Sequence, residues 1–311
     1  MGHRQGLVAV FDEDKVVRGG ACVEMPPFIL IAPATRGLSL ALARHYLRTT
    51  SLPVFATYRP SPPATDRPRI ADSVRAHILH PLPSVDPARL HLLPLDLASE
   101  DSVAAAADAL ARALAQLSGS SAEPSFLRVA VFLAGVLHPE RQPADLVLDD
   151  VLATFRLNVV SHLLAIKHFS RFLPPAARAL QTSTSTSAPA GAAEQQRPLV
   201  AKWAHVSARV GSISDNRLGG WYSYRASKAA LNQVVRTFDL HLQARRLPAV
   251  AVGLHPGTVK TDLSRDFWKG VSPEKLFAPE YAAARLAEVV EGLREDQRGR
   301  IWDWKGEEVK P

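Results

Sequence analysis

Short apolar runs recur along the chain, and helical patterns separate them. A short apolar run between turn residues is typical of a buried parallel strand. Such runs predict strands at Phe28–Ala32, Leu52–Tyr58, Leu90–Leu95, Phe126–Leu133, Leu199–Val206 and Ala249–Leu254, and a closing strand at Gly299–Trp304. Strands that alternate with helices are joined by right-handed crossovers. The pattern therefore predicts a doubly wound, mostly parallel α/β sheet in a single domain.

The segments between these runs have the composition and period of helices. The longest predicted helices are Glu100–Leu117, Val151–Phe172 and Pro279–Leu293. Further helices are predicted around Leu40–Arg44 and after Trp221.

Some stretches do not follow the alternation. Residues 1–27 show no period and are predicted to be an N-terminal extension. A proline-rich insert at about 60–88 is longer than a crossover needs, with one short helix predicted near Ile70–Ile78. A Thr/Ser/Ala-rich insert at about 176–198 has too little apolar surface to order itself. The domain is thus predicted to span 28–304, with 305–311 as a C-terminal tail.

The composition fits one large domain in a reducing compartment. At 311 residues, of which 47% are hydrophobic, the chain can bury a sizeable core. The single cysteine, Cys22, excludes an intramolecular disulfide framework. No apolar run is long enough for a bilayer, and Asp12, Glu13 and Asp14 interrupt the region where a signal peptide needs apolar residues. We therefore expect a cytoplasmic protein with no membrane partner.

The net charge of +7 raises the question of whether the protein binds nucleic acid. The basic residues are spread along the chain and form no patch interleaved with aromatic residues. No nucleic-acid partner is expected, because solubility or an anionic cofactor explains the excess as well.

The first candidate for chemistry is the pair Tyr224 and Lys228, which a helix places on one face. A nearby ammonium favours the phenolate and is expected to lower the pKa of the tyrosine. A serine hydroxyl from a preceding strand would orient a carbonyl oxygen. Such a set suits reduction of a ketone or oxidation of an alcohol, although Tyr/Lys pairs also occur on solvated helix faces.

The neighbouring residues distinguish these two interpretations. V-S-A-R-V-G-S precedes the pair, and W-Y-S-Y-R-A-S-K-A-A-L-N contains it. Together they resemble the active-site segment of the short-chain dehydrogenase/reductase family, in its C-factor-like branch. The resemblance runs from about residue 28 to 304. It implies a Rossmann-like fold and an NAD(P)-dependent enzyme similar to carbonyl reductases, acting on a small-molecule carbonyl or alcohol.

The resemblance also implies roles for the catalytic residues. Tyr224 would be the proton donor or acceptor, and Lys228 would lower its pKa and hold the nicotinamide ribose. Asn158 would connect a proton relay through water. From the residues alone, an asparagine inside an apolar helix needs a bonded partner, so packing or a helix kink is the alternative.

The serine motif departs from the family pattern. The wider family has Ser-Ser-x-x-Gly with the second serine catalytic, and here that position is Ala208. Ser207 is predicted to orient the carbonyl instead, and Ser212 is the alternative.

The turn after the first strand is the predicted pyrophosphate site. P-A-T-R-G-L-S joins this strand to a helix, whose N-terminal amides suit an anion. The predicted contacts are Thr35, Arg36, Gly37 and Leu38. Aligned with the family's T-G-x-x-x-G-x-G, the chain keeps one glycine of three. Pro33 stands at the first glycine position and removes an amide donor, which weakens the prediction of cofactor binding.

Arginine residues favour NADP over NAD. Arg59 ends the second strand where an acidic residue would bind a ribose hydroxyl, and Arg36 lies in the phosphate turn. Arginine accommodates a 2′-phosphate, although both side chains are also compatible with simple solvation.

The resemblance implies further cofactor contacts. At the adenine they are Asp96 and Leu97, although Ser99 after them also suits the cap of the next helix. After the fourth strand they are Ala134 and Gly135, where Leu133 replaces the family's asparagine and its contribution to strand cohesion. At the nicotinamide end they are Pro256, Gly257, Val259 and Thr261 in H-P-G-T-V-K-T.

Residues 262–278, with Phe267 and Trp268, are predicted to form a lid with an apolar substrate face. A homo-dimer or tetramer is expected by analogy with the family.

The alternative function is a catalytically weak or inactive nucleotide-binding protein of this fold with a signalling or scaffold role. Pro33, Leu133 and Ala208 motivate it, whereas Tyr224 and Lys228 argue against it. A nucleic-acid binder is a more distant third.

Overall fold

The apolar runs form one parallel sheet in the computed structural model, which describes residues 27–60, 67–118, 125–176 and 201–311. The strands of this sheet are β1 (Pro27–Ala32), β2 (Val54–Tyr58), β3 (Leu90–Pro94), β4 (Phe126–Phe132), β5 (Ala201–Val206), β6 (Ala249–His255), β9 (Ile301–Asp303) and β10 (Glu308–Val309). Their order is β10-β9-β6-β5-β4-β1-β2-β3. Every pairing is parallel except that of β9 with β10. The predicted doubly wound α/β fold is confirmed.

Helices cover both faces of the sheet. They are α1 (Gly37–Thr49), α2 (Arg67–Leu79), α3 (Glu100–Ser118), α4 (Leu148–Phe155), α5 (Ser161–Phe169), α6 (Tyr222–Ala244) and α7 (Pro279–Glu291). Side chains of a strand alternate between its two faces. Ile29 and Ile31 accordingly pack in one core with α1, α2 and α7, whereas Phe28 and Leu30 pack in the other with α3, α5 and α6.

The described ranges leave out part of the predicted organisation. Residues 1–26 of the predicted extension, residues 61–66 of the first insert and residues 177–198 of the second lie outside the described residues. The helix predicted near Ile70–Ile78 is α2, which is longer than predicted.

The predicted helix Val151–Phe172 is one helical segment with an irregular centre. It comprises α4, a π-helical stretch at Arg156–Val160, α5 and a final 3₁₀ turn at Ser170–Phe172. A π-helical stretch inside an α-helix is rare and occurs often at functional sites. Asn158 is the middle residue of the stretch Arg156–Val160.

The C-terminal residues, predicted as a tail, turn back onto the sheet. Glu308 and Val309 pair antiparallel with Trp302 and Ile301. The amide of Ser214 donates to the carbonyl of Pro311 at 3.2 Å. The end of the chain therefore packs beside the loop that follows β5.

Sheet topology determines where the functional residues converge. β1 and β4 are neighbours, but the chain leaves them toward opposite edges of the sheet. Ligands of open α/β sheets bind at the carboxyl ends of strands beside such a switch. A separate pair of short strands, β7 (Thr258–Val259) and β8 (Leu276–Phe277), follows β6 near this edge. None of the helices in the described ranges has both the length and the apolar character needed to cross a membrane.

We predict that the buried carboxylate of Asp239 is a principal support of the fold. Asp239 is fully buried on α6, accepts from the Arg298 guanidinium at 2.9 Å and accepts the amide of Ala251 at 3.0 Å. Asp239→Ala removes the fully buried partner of the guanidinium and the acceptor of the Ala251 amide, and losing one member of a buried pair costs about 3–5 kcal/mol. Urea unfolding would measure this loss.

Asp296→Ala is the control, because its pair with Arg294 is exposed on both sides. Surface pairs contribute about 0–1 kcal/mol. Equal losses in the two variants would contradict the assigned role of Asp239.

Candidate active site

Tyr224 and Lys228 are both buried on α6, with 7% and 3% of their surface exposed. The Lys228 ammonium donates to the carbonyl of Val206, the last residue of β5, at 2.9 Å. Its Nζ lies 5.7 Å from the centroid of the Tyr224 ring. The helix thus brings the predicted pair together at the carboxyl edge of the sheet. Among the described residues the Tyr224 hydroxyl has no hydrogen-bond partner.

Burial controls the ionisation of both groups. It raises the pKa of Tyr224 to about 12 and lowers the pKa of Lys228 to about 8. The expectation that the ammonium lowers the pKa of Tyr224 is wrong. Excluding water disfavours the phenolate more strongly than the nearby cation favours it. At neutral pH the phenol is therefore protonated.

Asn158 is fully buried, and its amide is satisfied by the protein. Its Oδ1 accepts the amide of Val136 at 2.8 Å, and its Nδ2 donates to the Val136 carbonyl and to Ser227 Oγ, both at 3.0 Å. The Ser227 hydroxyl donates in turn to the carbonyl of Tyr224 at 2.8 Å. Asn158 thereby ties the loop after β4 to the turn of α6 that carries Tyr224 and Lys228. These bonds explain how a polar residue is accommodated inside an apolar helix, and the water relay remains a prediction.

Gly135 lies where these groups meet. A Cβ on Gly135 would be 3.6 Å from both Asn158 Oδ1 and Lys228 Nζ. The predicted residues Gly135, Asn158 and Lys228 are therefore neighbours.

The hydroxyl of Ser207 is directed at α6. It is buried and donates to Asn232 Oδ1 at 2.6 Å. The alternative, Ser212, accepts the amide of Asp215 at 3.1 Å and lies 3.3 Å from Ser214 Oγ. Both hydroxyls thus have protein partners, and the carbonyl-orienting role of Ser207 remains a prediction.

Gly211 allows the loop after β5 to pack closely on α6. A Cβ on Gly211 would lie 2.7 Å from the carbonyl carbon of Lys228. That distance is shorter than van der Waals contact, so a side chain would separate the loop from the helix.

The turn after β1 fits a pyrophosphate. Gly37 has φ +52, and a Cβ there would lie 2.9 Å from Thr261 Cγ2. The phosphate turn and the predicted nicotinamide segment therefore pack together. Helix α1 begins without a side-chain cap and without an acidic residue in its first turn. Its first amides and positive dipole end are thus suited to an anion. Thr35 is half-buried beside Gly37, and Leu38 is buried.

Arg36 and Arg59 are exposed, as a contact to a 2′-phosphate requires. Arg36 is the N-cap of α1, and Arg59 follows β2 directly. Neither guanidinium forms an ion pair with another described residue.

The predicted adenine contacts follow β3. Asp96 is half-buried and accepts the amide of Ala98 at 2.9 Å, and Leu97 is buried. Ser99 Oγ accepts the amide of Ser102 at 3.3 Å, as expected of a helix cap. The capping role of Ser99 is therefore confirmed.

The segment after β6 surrounds the other end of the site. Gly257 has φ +74, and a Cβ there would lie 2.6 Å from the Phe277 ring. Val259 is buried in β7, and Thr261 caps the 3₁₀ segment Asp262–Gly270. Pro256 lies between His255 of β6 and Gly257.

A chain of hydrogen bonds that the sequence does not predict supports Ala134. Trp203 Nε1 donates to His205 Nε2 at 2.8 Å, the two Nδ1 atoms of His205 and His162 are 2.8 Å apart, and His162 Nε2 lies 3.1 Å from the Ala134 carbonyl. An indole can only donate and a carbonyl can only accept. The tautomers are thus determined: His205 donates from Nδ1, and His162 donates from Nε2.

Both histidines are neutral. Burial lowers the pKa of His162 to about 3 and that of His205 well below its usual value. This chain of hydrogen bonds ties β5 and α5 to Ala134, which follows β4 and precedes Gly135. In the sequence these are single histidines 43 positions apart, with no pattern that connects them.

We predict a pH-dependent stability that originates at Lys228. Its pKa is about 8 in the folded protein and about 10.5 when unfolded, so the unfolded chain binds more protons between these values. The free-energy penalty of burying the ammonium is therefore fully present below pH 8, and it declines as the pH rises above this value. Relative to Lys228→Met, the wild-type free energy of unfolding should increase by about 2 kcal/mol from pH 7.5 to 9.5.

Urea unfolding of both proteins at the two pH values measures this difference. Lys305→Met is a control, because this lysine lies in the exposed C-terminal turn. A difference that stays constant with pH would contradict the lowered pKa of Lys228.

No family model matches the chain. Several curated proteins resemble the chain, and two of them match part of it at 40% identity or more. C-signal of Myxococcus xanthus is 42% identical over 106 residues, which is 34% of this chain and 58% of that protein. The 1-hydroxy-2-glutathionyl-2-methyl-3-butene dehydrogenase of Rhodococcus sp. (strain AD45) is 40% identical over 124 residues, 39% of this chain and 53% of that protein. The matches thus span little more than half the length of these relatives.

Solved structures share the fold over nearly the whole chain. The NADPH-bound carbonyl reductase from chicken fatty liver superposes with a TM-score of 0.68 and 24% identity, covering 93% of this chain and 100% of that one. The sheet order, the Tyr224/Lys228 helix after β5 and these likenesses agree. The chain thus has the fold of these carbonyl reductase and short-chain dehydrogenase structures, and part of its sequence is similar to C-signal.

Proposed function

We propose that this protein is an NADP(H)-dependent oxidoreductase that interconverts a carbonyl and an alcohol. The observation that supports this most directly is the polar face of α6. Ser223, Ser227, Lys228 and Asn232 each have a protein partner there, whereas the Tyr224 hydroxyl has none among the described residues. Proton donors that the fold leaves unpaired are suited to bind a substrate.

A bound NADP(H) would supply or accept the hydride. The amides at the start of α1, with Gly37 beside Thr261, would hold its pyrophosphate. Arg36 and Arg59 would pair with a 2′-phosphate, which favours NADP over NAD. Ala134, Gly135 and the segment from Pro256 to Thr261 would border the nicotinamide end. A similar protein of known structure is an NADPH-bound carbonyl reductase, which agrees with this choice.

Tyr224 would be the general acid in reduction. Its raised pKa keeps the phenol protonated at neutral pH. The phenol would donate its proton to the carbonyl oxygen as that oxygen gains negative charge. For oxidation of an alcohol the phenolate is required, and Lys228 would supply the nearby positive charge that stabilises it.

Asn158 and Lys228 would position the acid. The bonds from Asn158 to Ser227 and Val136 restrict the α6 turn, and Lys228 bonded to Val206 lies 5.7 Å from the ring it serves. A water beside Asn158 and Lys228 would return a proton to the phenol. Ser207 would orient the carbonyl after its hydroxyl turns away from Asn232.

A catalytically weak, nucleotide-binding protein with a signalling or scaffold role is the second candidate. Ala208 stands at the family's catalytic serine, and the hydroxyl of Ser207 is bonded to α6. Pro33 removes an amide from the phosphate turn. This candidate differs from the first in having little or no turnover.

We also propose a homo-dimer or tetramer by analogy with the family, and we assign its interface to α4 and α5 from their exposed leucines. Leu148, Leu152 and Leu163 on these helices are 71%, 57% and 47% exposed. Exposed leucines at helical spacing are suited to a helix-to-helix interface.

We predict that Arg59→Ala selectively weakens NADPH. Losing one charge-assisted contact to a 2′-phosphate costs about 1.5–3 kcal/mol, so the Kd for NADPH should rise roughly tenfold or more. The Kd for NADH should be unchanged. Nicotinamide fluorescence measures both, and Arg245→Ala, an exposed arginine at the end of α6, is the control. Equal weakening of both cofactors, or absence of NADPH binding to the wild type, would contradict the phosphate contact.

We predict that Tyr224→Phe abolishes most turnover while leaving cofactor binding intact. Removing a general acid lowers kcat by about 10²–10⁴. The phenylalanine keeps the buried ring but cannot donate a proton. Consumption of NADPH with a panel of ketones and aldehydes measures kcat, and NADPH titration confirms binding. If the variant kept wild-type kcat, Tyr224 would not be the acid.

A further inference from the structure

The turn before α6 contains three consecutive residues with positive φ. Gly219 and Gly220 have φ +63, and Trp221 has φ +50. Glycine adopts this conformation freely, whereas a bulky residue does so only when its surroundings hold it there. At a functional site such an outlier indicates that the position of the side chain matters.

Glu140 holds Trp221 in this conformation. The amide of Trp221 donates to the Glu140 carbonyl at 2.6 Å, and the Ser223 hydroxyl donates to the Glu140 carboxylate. Glu140 is only 3% exposed, in the loop between β4 and α4. The backbone and side chain of one buried residue thus fix both sides of Tyr222.

The indole of Trp221 lies between Tyr224 and the predicted lid. Its ring meets the Tyr224 ring at a centroid distance of 6.1 Å and an angle of 81°. It meets the Phe267 ring, in the segment Asp262–Gly270, at 4.8 Å and 61°. The other predicted lid aromatic, Trp268, donates its indole N–H to Ser264 Oγ within the same segment. Phe267 is therefore the lid residue that extends the aromatic surface beginning at Tyr224.

From this arrangement we infer that Trp221 is a specificity-determining residue that selects flat, aromatic carbonyl substrates. This inference rests on the proposed function. A carbonyl oxygen that accepts the Tyr224 proton must lie within hydrogen-bond distance of the phenol. Its substituents then come within reach of the Trp221 ring, and aromatic rings associate at centroid separations of about 4.5–7 Å. Trp221 and Phe267 would bind an aromatic substituent, and a small aliphatic carbonyl would gain little from them.

The test compares two diketones, phenanthrene-9,10-quinone and butane-2,3-dione, with NADPH as reductant. The variants are Trp221→Gly and Trp221→Asn, because both residues tolerate a positive φ and both remove the indole. Tyr222→Ala, which removes the adjacent exposed aromatic ring, is the matched control. Thermal unfolding establishes that each variant is folded.

We expect kcat/KM for the quinone to fall about tenfold in both Trp221 variants, chiefly through KM. For butane-2,3-dione the change should be less than twofold, and Tyr222→Ala should alter neither. Equal losses for both diketones would mean that Trp221 only supports the fold, and unchanged or improved quinone reduction would mean that the indole does not bind the substrate. Either outcome overturns the inference and leaves the proposed function intact. If the wild type reduced neither diketone and bound no NADPH, the inference about Trp221 and the proposed function would both be contradicted.

Discussion

The buried polar face of α6 is the constraint on which the site depends. This face carries the candidate acid, and each of its polar groups loses water when the helix packs against the sheet. An unpaired buried group costs about 1–3 kcal/mol, so four of these groups meet a partner from another element, whereas the Tyr224 hydroxyl has none among the described residues. Glu140 meets Ser223, Asn158 meets Ser227, the Val206 carbonyl meets Lys228 and Ser207 meets Asn232. The loops after β4 and β5 are fixed by these requirements.

The same constraint explains the electrostatics of the site. Because the face is buried, the pKa of Tyr224 rises while that of Lys228 falls. From the sequence alone, the charge of Lys228 is expected to lower the pKa of Tyr224. The shift has the opposite sign because the phenol also loses its contact with solvent. Burial is a property of the assembled sheet and helices, so it cannot be read from the spacing of two residues on one helix.

Patterns within short segments of the sequence predict the features that those segments determine by themselves. Apolar runs locate the strands because a strand covered by helices on both faces must be apolar throughout. The four-residue interval of Tyr224 and Lys228 places them together because of helix geometry. The partner of Asn158, the π-helical stretch around it and the pairing of His162 with His205 depend on elements far apart in sequence. No single segment contains the information for them.

The departures from the family motifs lie in the turns, and the structure supplies local compensation for one of them. Leu133 stands after β4 where the family has an asparagine. Two other hydrogen bonds hold the backbone there: the Leu133 amide donates to the Ala32 carbonyl at 2.7 Å, and His162 Nε2 donates to the Ala134 carbonyl. We propose that a hydride passes from NADPH bound at this site to a carbonyl carbon while Tyr224 supplies the proton. The most direct measurement compares NADPH deuterated at the 4R position with NADPH deuterated at the 4S position, using mass spectrometry of the alcohol. Direct hydride transfer predicts an alcohol one mass unit heavier from one of the two forms and unlabelled alcohol from the other. Unlabelled alcohol from both forms, or no alcohol, would contradict it.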